Sequence, residues 1–307
     1  MFNGVAVLAT LLLAAQAAAQ TCTPTISDLD FGAVSALAGS TVDATATVTV
    51  SCNGGNSDSA VCVHLGIGNA GGFAGGTRQL QAGAQAIDFD LYADPSRSDV
   101  WRTVGGTGAA QGTYTLIVPR FGTASQTIYG RLTMGTATPG AYASTFTSGV
   151  DVRVLYQDSQ NDPVADGCNQ DHARERSAGF TVRASVAPYC DIASGALDFG
   201  TSGPITANLD ATGTLTIGCT NGTTYAVSLG NGLNALGPQR RMASGGSYLD
   251  YDLYTDTART QPWRGTTTAN GTGTGTPVSI PVYGRIPPQG VLPPGTYTDT
   301  VVVTITY

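Results

Sequence analysis

Cys22 and the motif Leu29-Asp30-Phe31-Gly32 open the first half of this sequence, and Cys190 and Leu197-Asp198-Phe199-Gly200 repeat them in the second half, 168 residues later in both cases. Further shared landmarks follow in the same order: Val48-Thr49-Val50-Ser51-Cys52 with Leu215-Thr216-Ile217-Gly218-Cys219, Asp90-Leu91-Tyr92 with Asp252-Leu253-Tyr254, Trp101 with Trp263, Tyr129-Gly130-Arg131 with Tyr283-Gly284-Arg285, and Pro139-Gly140-Ala141-Tyr142 with Pro294-Gly295-Thr296-Tyr297. An ordered set of this kind indicates an internal repeat, so we interpret the chain as two homologous domains.

The periodicity within each copy predicts β-strands. Segments 45–51, 215–218 and 300–306 alternate β-branched and polar residues, which is typical of strands with one buried face. The chain has 41 glycines and only 11 % charged residues, a composition that favours short strands joined by tight turns. We therefore predict an all-β protein with two β-sandwich domains in tandem.

The first 20 residues have the features of a secretory signal peptide. Residues 4–19 contain no charged side chain, are rich in Ala and Leu, and end in Ala17-Ala18-Ala19. A membrane span would need about 20 apolar residues, so we predict export. The predicted organisation is a signal peptide at 1–20, a first domain at 21–157, a linker at 158–179 and a second domain at 180–307.

Charge and residue usage exclude several classes of partner. The net charge is −7 and no basic cluster is present, which argues against nucleic acid. All fourteen basic residues are Arg. Without Lys the chain can form neither sortase linkages nor isopeptide bonds, so any surface assembly that it joins must be non-covalent.

Six cysteines in an exported chain predict three disulfides, for which fifteen pairings are open. The repeat reduces that number, because Cys22 with Cys52 and Cys190 with Cys219 occupy equivalent places. Cys62 and Cys168 are then left for each other. A metal site is the alternative, but the two histidines, His64 and His172, are not at zinc-ligand spacing from these cysteines, and we predict neither metal nor cofactor.

No motif indicates an enzyme. His64 and His172 lie in no recognisable catalytic pattern, and His64 alternates with apolar neighbours like a core or edge residue. The carboxylates of Asp88 and Asp90, or of Asp250 and Asp252, could serve glycoside hydrolysis in principle. Their recurrence in both copies instead favours a capping or turn role.

The landmarks together resemble the spore coat protein U domain, which occurs in subunits of archaic chaperone-usher pili. The second copy matches this pattern better than the first, which carries insertions at 53–60 and 104–127 and a longer final strand region. The resemblance implies immunoglobulin-like sandwiches that are completed by a strand from another polypeptide, a process called donor-strand complementation.

The arrangement of strands suggests where such a strand would bind. The second domain ends directly after its final strand, so we expect it to lack its last strand and to expose a groove at Val301, Val303 and Ile305. Segment 180–186 alternates apolar residues and is a candidate internal donor strand for the first domain through Phe180, Val182, Ala184 and Val186. The alternative for this segment is an ordinary linker. Signal cleavage leaves almost nothing ahead of Cys22, so we expect a subunit that accepts a strand but donates none.

These observations predict a tip adhesin of a chaperone-usher pilus that mediates attachment and biofilm formation. Its expected partners are a periplasmic pilus chaperone, an outer-membrane usher, an adjacent pilin subunit and a host or abiotic surface, and its expected location is the bacterial cell surface. Phe73 and Phe121, in loops absent from the second copy, are the candidate adhesive residues, although each could instead anchor its loop to the core. The alternatives are a non-adhesive capping subunit and, in another class, a secreted carbohydrate-binding protein or carbohydrate-active enzyme.

Overall fold

The computed structural model describes residues 20–35, 37, 39–55, 57–70, 78–101, 114–158 and 174–307, and within these residues every regular element is a β-strand. The strands of the first domain are β1 (Thr21–Ile26), β2 (Leu29–Ser35), β3 (Thr41–Asn53), β4 (Ser59–Leu65), β5 (Arg78–Ala82), β6 (Gln85–Tyr92), β7 (Tyr114–Val118), β8 (Thr123–Thr133), β9 (Gly140–Phe146), β10 (Val152–Asp158), β11 (Arg174–Arg176) and β12 (Phe180–Ala187). The strands of the second are β13 (Cys190–Ser194), β14 (Leu209–Cys219), β15 (Thr224–Leu229), β16 (Arg240–Ser244), β17 (Ser247–Tyr254), β18 (Ala269–Thr272), β19 (Val278–Ile286) and β20 (Val303–Thr306).

Each domain is a sandwich of two sheets. In the first, an eight-stranded sheet in the order β1-β3-β8-β6-β5-β9-β12-β2 packs on a four-stranded sheet in the order β11-β10-β4-β7. In the second, a five-stranded sheet (β13-β14-β19-β17-β16) packs on a three-stranded one (β18-β15-β20). The buried residues form two separate apolar cores, one per domain. The prediction of two all-β sandwiches is confirmed.

The duplicated tryptophans lie at the centre of these cores. Trp101 and Trp263 are fully buried, and their indole N–H groups donate to the carbonyl oxygens of Val63 and Val227, both at 3.0 Å. A buried indole N–H needs such a partner, which explains why the Trp recurs at the same place. These contacts make β4 and β15 equivalent strands.

A buried Arg–Asp pair accompanies each tryptophan and was not predicted. The Arg240 guanidinium donates to Asp252 at 2.8 Å and to the carbonyl oxygens of Leu229, Gly230 and Trp263. Arg78 makes the same pair with Asp90 in the first domain. The predicted capping or turn role of Asp88, Asp90, Asp250 and Asp252 is wrong, because all four lie inside β6 or β17. Asp90 and Asp252 serve as the buried counter-ions.

The repeated Tyr-Gly-Arg motif fixes the outer face of the large sheets. Arg131 and Arg285 form two-pronged ion pairs with Asp43 and Asp210 on the neighbouring strand. These hydrogen bonds lower the pKa of both aspartates. At Gly130 an added Cβ would come within 2.8 Å of the Leu29 side chain, so the glycine leaves room for Leu29 of β2 to pack against β8. The motif is structural, as its duplication indicates.

The predicted domain boundaries need correction. Asp158 ends β10, and Arg174–Arg176 form β11, which pairs with β10, so both ends of the predicted linker belong to the first domain. The first domain extends to Ala187, because β12 lies in its large sheet. Gln20, assigned above to the signal peptide, is buried in this domain, where its amide donates to Ser59 and its carbonyl accepts from Arg174.

The two domains are joined closely. Only Pro188 and Tyr189 separate β12 from β13. The Thr220 N–H donates to the Tyr189 carbonyl at 2.9 Å, and the Asn221 side chain donates to the carbonyl of Thr136 in the first domain at 2.8 Å. The second domain is therefore held against the end of the first domain at which β8 and β12 finish.

Candidate functional site

Strand β12 completes the first domain. It pairs along its length with β9 in antiparallel fashion, from Phe180 opposite Phe146 to Val186 opposite Gly140. On its other side it pairs parallel with β2, from Val182 opposite Leu29 to Ala187 opposite Ser35. A segment with neighbours on both edges is part of the sheet and not a free linker.

The side chains of β12 alternate between core and surface. Phe180, Val182, Ala184 and Val186 are buried and belong to the core of the first domain. The Phe180 ring stacks on that of Phe146, with centroids 4.4 Å apart and planes at 20°. On the outer face Arg183 donates to Asp30 of β2 at 2.9 Å, and this hydrogen bond lowers the pKa of that carboxyl. The candidate internal donor residues thus occupy the interior of the first domain.

A second short segment extends this strand across the other sheet. β11 precedes β12 by three residues and pairs with β10, placing Arg174 opposite Tyr156 and Arg176 opposite Val154. Segment 174–187 therefore runs beside both β9 and β10. Between the latter two strands the chain bulges at 147–151, where Ser148 is hydrogen-bonded to Ser177 at 2.6 Å.

The second domain has no counterpart of this segment among the described residues. Eight of its strands match eight in the first domain, and the unmatched first-domain strands are β2, β9, β11 and β12. Of these, β11 and β12 make up segment 174–187, which completes the first domain, and β2 and β9 are the strands that pair with β12. The matching second-domain segments, 197–200 and 295–301, are present in the sequence but form no strand.

Equivalent residues differ in burial for the same reason. Seven apolar side chains that are buried in the first domain are half-buried or exposed in the second. Tyr156, for example, is 0 % exposed, whereas Tyr307 is 55 % exposed. The pairs are Leu29 and Leu197, Phe31 and Phe199, Tyr142 and Tyr297, Phe146 and Val301, Val152 and Val303, Val154 and Ile305, and Tyr156 and Tyr307. We call the seven second-domain residues the open groove.

The predicted groove residues lie within this set. Val301, Val303 and Ile305 are half-buried and pack against the second core. The predicted strand at 300–306 begins only at Val303, which pairs with Leu229 of β15. Sequence reasoning missed Leu197, Phe199, Tyr297 and Tyr307. Two of the motifs that contain them, Leu-Asp-Phe-Gly and Pro-Gly-x-Tyr, are visible in the sequence. Because both copies share these motifs, the sequence does not reveal that a completing strand covers them in the first domain only.

Phe121 lies at the opposite end of the molecule from the second domain. It is 63 % exposed at the turn between β7 and β8, and its φ of 55° is a left-handed conformation that large residues rarely adopt. β8 runs from this turn for about 35 Å towards the contact between the two domains. The Arg120 guanidinium lies over the Phe121 ring, 4.8 Å from its centroid. Phe73 lies outside the described residues.

The cysteines and histidines show no catalytic arrangement among the described residues. Cys22 is bonded to Cys52 and Cys190 to Cys219, each pair lying directly opposite in adjacent strands. Cys62 is also disulfide-bonded, while its predicted partner Cys168 lies outside the described residues, as does His172. His64 is buried in β4, and burial, assisted by the charge of Arg153, lowers its pKa to about 4.

Two other features are absent from the described part of the chain. No group of three or more His, Cys, Asp or Glu side chains there could hold a metal ion. Nor does that part contain a helix that is long and apolar enough to cross a membrane.

The fold defines the class: this is an all-β protein of two immunoglobulin-like sandwiches in tandem, the first completed by its own strand and the second open among the described residues. Within this class the chain belongs to the Spore Coat Protein U domain family, which matches residues 8–149 and 176–304. Protein U of Myxococcus xanthus is 40 % identical over 156 residues, covering 44 % of this chain and 87 % of that protein. The family prediction is confirmed.

A solved structure supports the same fold over both domains. The CsuC–CsuE chaperone–tip adhesion subunit pre-assembly complex of the archaic chaperone-usher Csu pili of Acinetobacter baumannii matches 94 % of this chain and 100 % of the solved chain, with 17 % identity and a TM-score of 0.55. The CupB6 tip adhesin of Pseudomonas aeruginosa matches 93 % of this chain and 94 % of its own, with 10 % identity and a TM-score of 0.40.

Proposed function

We propose that this protein is the tip adhesin subunit of a chaperone-usher pilus and binds into the fibre through its second domain. One observation carries the proposal: the completing strand present in the first domain is missing from the described second domain, whose equivalent apolar residues are left half-buried or exposed. An open sheet edge beside exposed apolar groups is an aggregation hazard, and a strand from another polypeptide removes it.

The proposed sequence of partners follows from this geometry. A periplasmic pilus chaperone covers the open groove first, an outer-membrane usher receives the complex, and a strand from the adjacent pilin subunit then replaces the chaperone. The first domain needs no partner strand, since β12 already occupies that place. A subunit with one open groove and one completed domain suits the end of a fibre on the cell surface. It acts by binding and not by catalysis.

Site-specific photo-crosslinking tests the assignment of the groove. Benzoylphenylalanine is placed at Tyr307 in the open groove or, as a matched control, at Tyr248, another exposed tyrosine of the second domain. We expect the Tyr307 position to crosslink to a periplasmic chaperone before assembly and to a pilin subunit in finished fibres, and the Tyr248 position to crosslink to neither. A correctly exported chain that crosslinks equally at both positions would contradict the proposal.

We further propose that the turn at Phe121 contacts the host or abiotic surface and so supports attachment and biofilm formation. The backbone holds a large apolar side chain in an unfavourable left-handed conformation and in contact with solvent, at the end farthest from the second domain. Conformations of that kind cluster at functional positions. Burial of one such ring at a surface is worth about 1.5 to 3 kcal/mol, and many pili acting together increase the effect.

Attachment of piliated cells to plastic tests this second proposal. The Phe121→Ser variant is compared with Val150→Ser, which removes a side chain that is 76 % exposed elsewhere in the same domain. We expect strongly reduced attachment for the first variant only, at unchanged pilus number. Equal attachment of the two would remove Phe121 from the adhesive surface, and a Phe73→Ser variant that also has no effect would leave the capping subunit as the better description.

A further inference from the structure

Building on the proposed function, we propose that the open groove accepts one particular strand pattern, for which residues 174–186 of this same chain are the template. The occupant is a segment of another polypeptide that pairs in one unbroken register with residues 295–307. It carries a large apolar side chain opposite Val301 and a small one opposite Tyr297.

The register follows from the first domain. Arg174 and Arg176 face Tyr156 and Val154, while Phe180, Ala184 and Val186 face Phe146, Tyr142 and Gly140. Transferred to the equivalent second-domain residues, these partners become Tyr307, Ile305, Val301, Tyr297 and Gly295. Every step along the template then matches one step along 295–307, so a single register covers the whole groove.

The second domain lacks the bulge that interrupts this register in the first. Val152 follows Tyr142 by ten residues, whereas Val303 follows Tyr297 by six, so the first domain has four additional residues there. They form the bulge at 147–151 that is hydrogen-bonded through Ser177. A strand in the second domain has no such bulge beside it, and it can therefore pair continuously where the template is broken at 177–179.

Two positions of the pattern are set by neighbouring side chains. Phe146, which stacks on Phe180, is replaced by the smaller Val301, so the position opposite has room for a ring of at least that size. Ala184 lies buried opposite the Tyr142 ring, whose hydroxyl donates to the Thr138 carbonyl. The Tyr297 hydroxyl donates to the Pro293 carbonyl in the same way, at 2.9 Å. The tyrosine ring is therefore held in the same place, and only a small side chain fits beside it.

A third position distinguishes the two domains. Val182 faces Ser144 in the first domain, whereas the equivalent residue in the second is Asp299, which accepts a hydrogen bond from the Tyr251 hydroxyl at 2.7 Å. Covering a carboxylate with an apolar group removes it from water at a cost. We therefore expect a threonine to bind at least as well as valine here.

A second copy of this chain is a poor source of the strand. Its own β12 is paired on both edges, and its inward side chains are part of a packed core. Release would require the first domain of that copy to open. The occupant is therefore a segment that is free before assembly and carries the same pattern.

The test uses the full-length chain and synthetic peptides. The probe is the peptide with the sequence of residues 174–187, measured by equilibrium binding and by hydrogen exchange. We expect binding with protection at 295–307. Substitution of Ala184→Leu in the peptide should weaken binding by about tenfold, because an overpacked site is destabilised, whereas Ser185→Leu on the outer face should change it by less than threefold. Phe180→Ala should also weaken it, and Val182→Thr should not.

The outcomes separate this inference from the proposed function. The pattern is wrong if the Ala184→Leu and Ser185→Leu peptides bind equally, or if the template peptide protects residues 140–158 of the first domain instead of 295–307. In either case the groove can still accept strands of another register. If neither the template peptide nor peptides shifted along it by one and two residues protect 295–307, both the pattern and the proposed acceptor function are overturned.

Discussion

His64 links the stability of the first domain to pH. Burial lowers its pKa from an ordinary 6.5 to about 4, with the charge of Arg153 lowering it further and that of Glu175 opposing the shift. Between these pH values the unfolded chain binds a proton that the folded chain does not. The free energy of unfolding is therefore highest above pH 6.5 and falls as the pH is lowered towards 4, by roughly 3 kcal/mol at most.

Urea unfolding across pH 7.5 to 4 measures this effect. In a His64→Gln variant we expect the free energy of unfolding to fall much less between pH 6.5 and 4 than it does in the unmodified protein. The decline below pH 4 should remain, since it comes from carboxylates such as Glu175, whose pKa is lowered by its hydrogen bond to Arg153. Identical pH profiles for the two proteins would show that His64 is not the titrating group.

The buried Arg240 should be far more important to the second domain than its neighbour Arg241. Arg240→Met leaves Asp252 buried and removes the donors to three carbonyl groups, so we expect a loss of about 3 to 5 kcal/mol. Arg241 lies over the Tyr248 ring at the surface, and Arg241→Met should cost about 1 kcal/mol or less. Chemical denaturation of the two variants gives both values, and similar losses would contradict a buried ion-pair role.

At the scale of elements, β12 should behave as a core strand of the first domain. Ala184→Asp places a carboxylate among the apolar side chains of the core, away from water. We expect it to lower the free energy of unfolding of the first domain by about 3 kcal/mol or more. Ser185→Asp puts the same group on the exposed face of the same strand and serves as the control. Circular dichroism during thermal unfolding compares them. Equal melting temperatures would mean that β12 is not required.

Much of this architecture could be predicted from sequence because its signals are local. The alternation of Phe180, Val182, Ala184 and Val186 indicates a strand with one buried face, and duplicated cysteines indicate equivalent bridges. The parallel pairing of β12 with β2 could not be predicted, because Leu29 is far from Val182 in sequence and only the folded sheet brings them together. Arg78 and Arg240 were missed for a related reason: a charged residue is normally exposed, and its burial depends on distant carbonyl groups.

At the scale of the whole molecule, the two domains should unfold separately. The second domain has several half-buried apolar residues at positions that are fully buried in the first, so we expect it to unfold at the lower temperature. Calorimetry of the full chain should show two unfolding transitions. A bound strand peptide should raise the temperature of the lower transition, because a ligand that binds only the folded state stabilises it. A single transition, unaffected by any peptide, would contradict the open groove.

The placement of β12 also determines how the molecule carries mechanical load. A pull on the second domain enters the first through Pro188 and Tyr189 and acts along the axis of β12. That strand is flanked by β9 on one side and β2 on the other, so its hydrogen bonds lie across the direction of force and are sheared together instead of being opened one after another. In the proposed adhesin, whose first domain holds a surface at its far end, this arrangement is a clamp that resists rupture under flow. The strand that completes the fold would then also bear the tension.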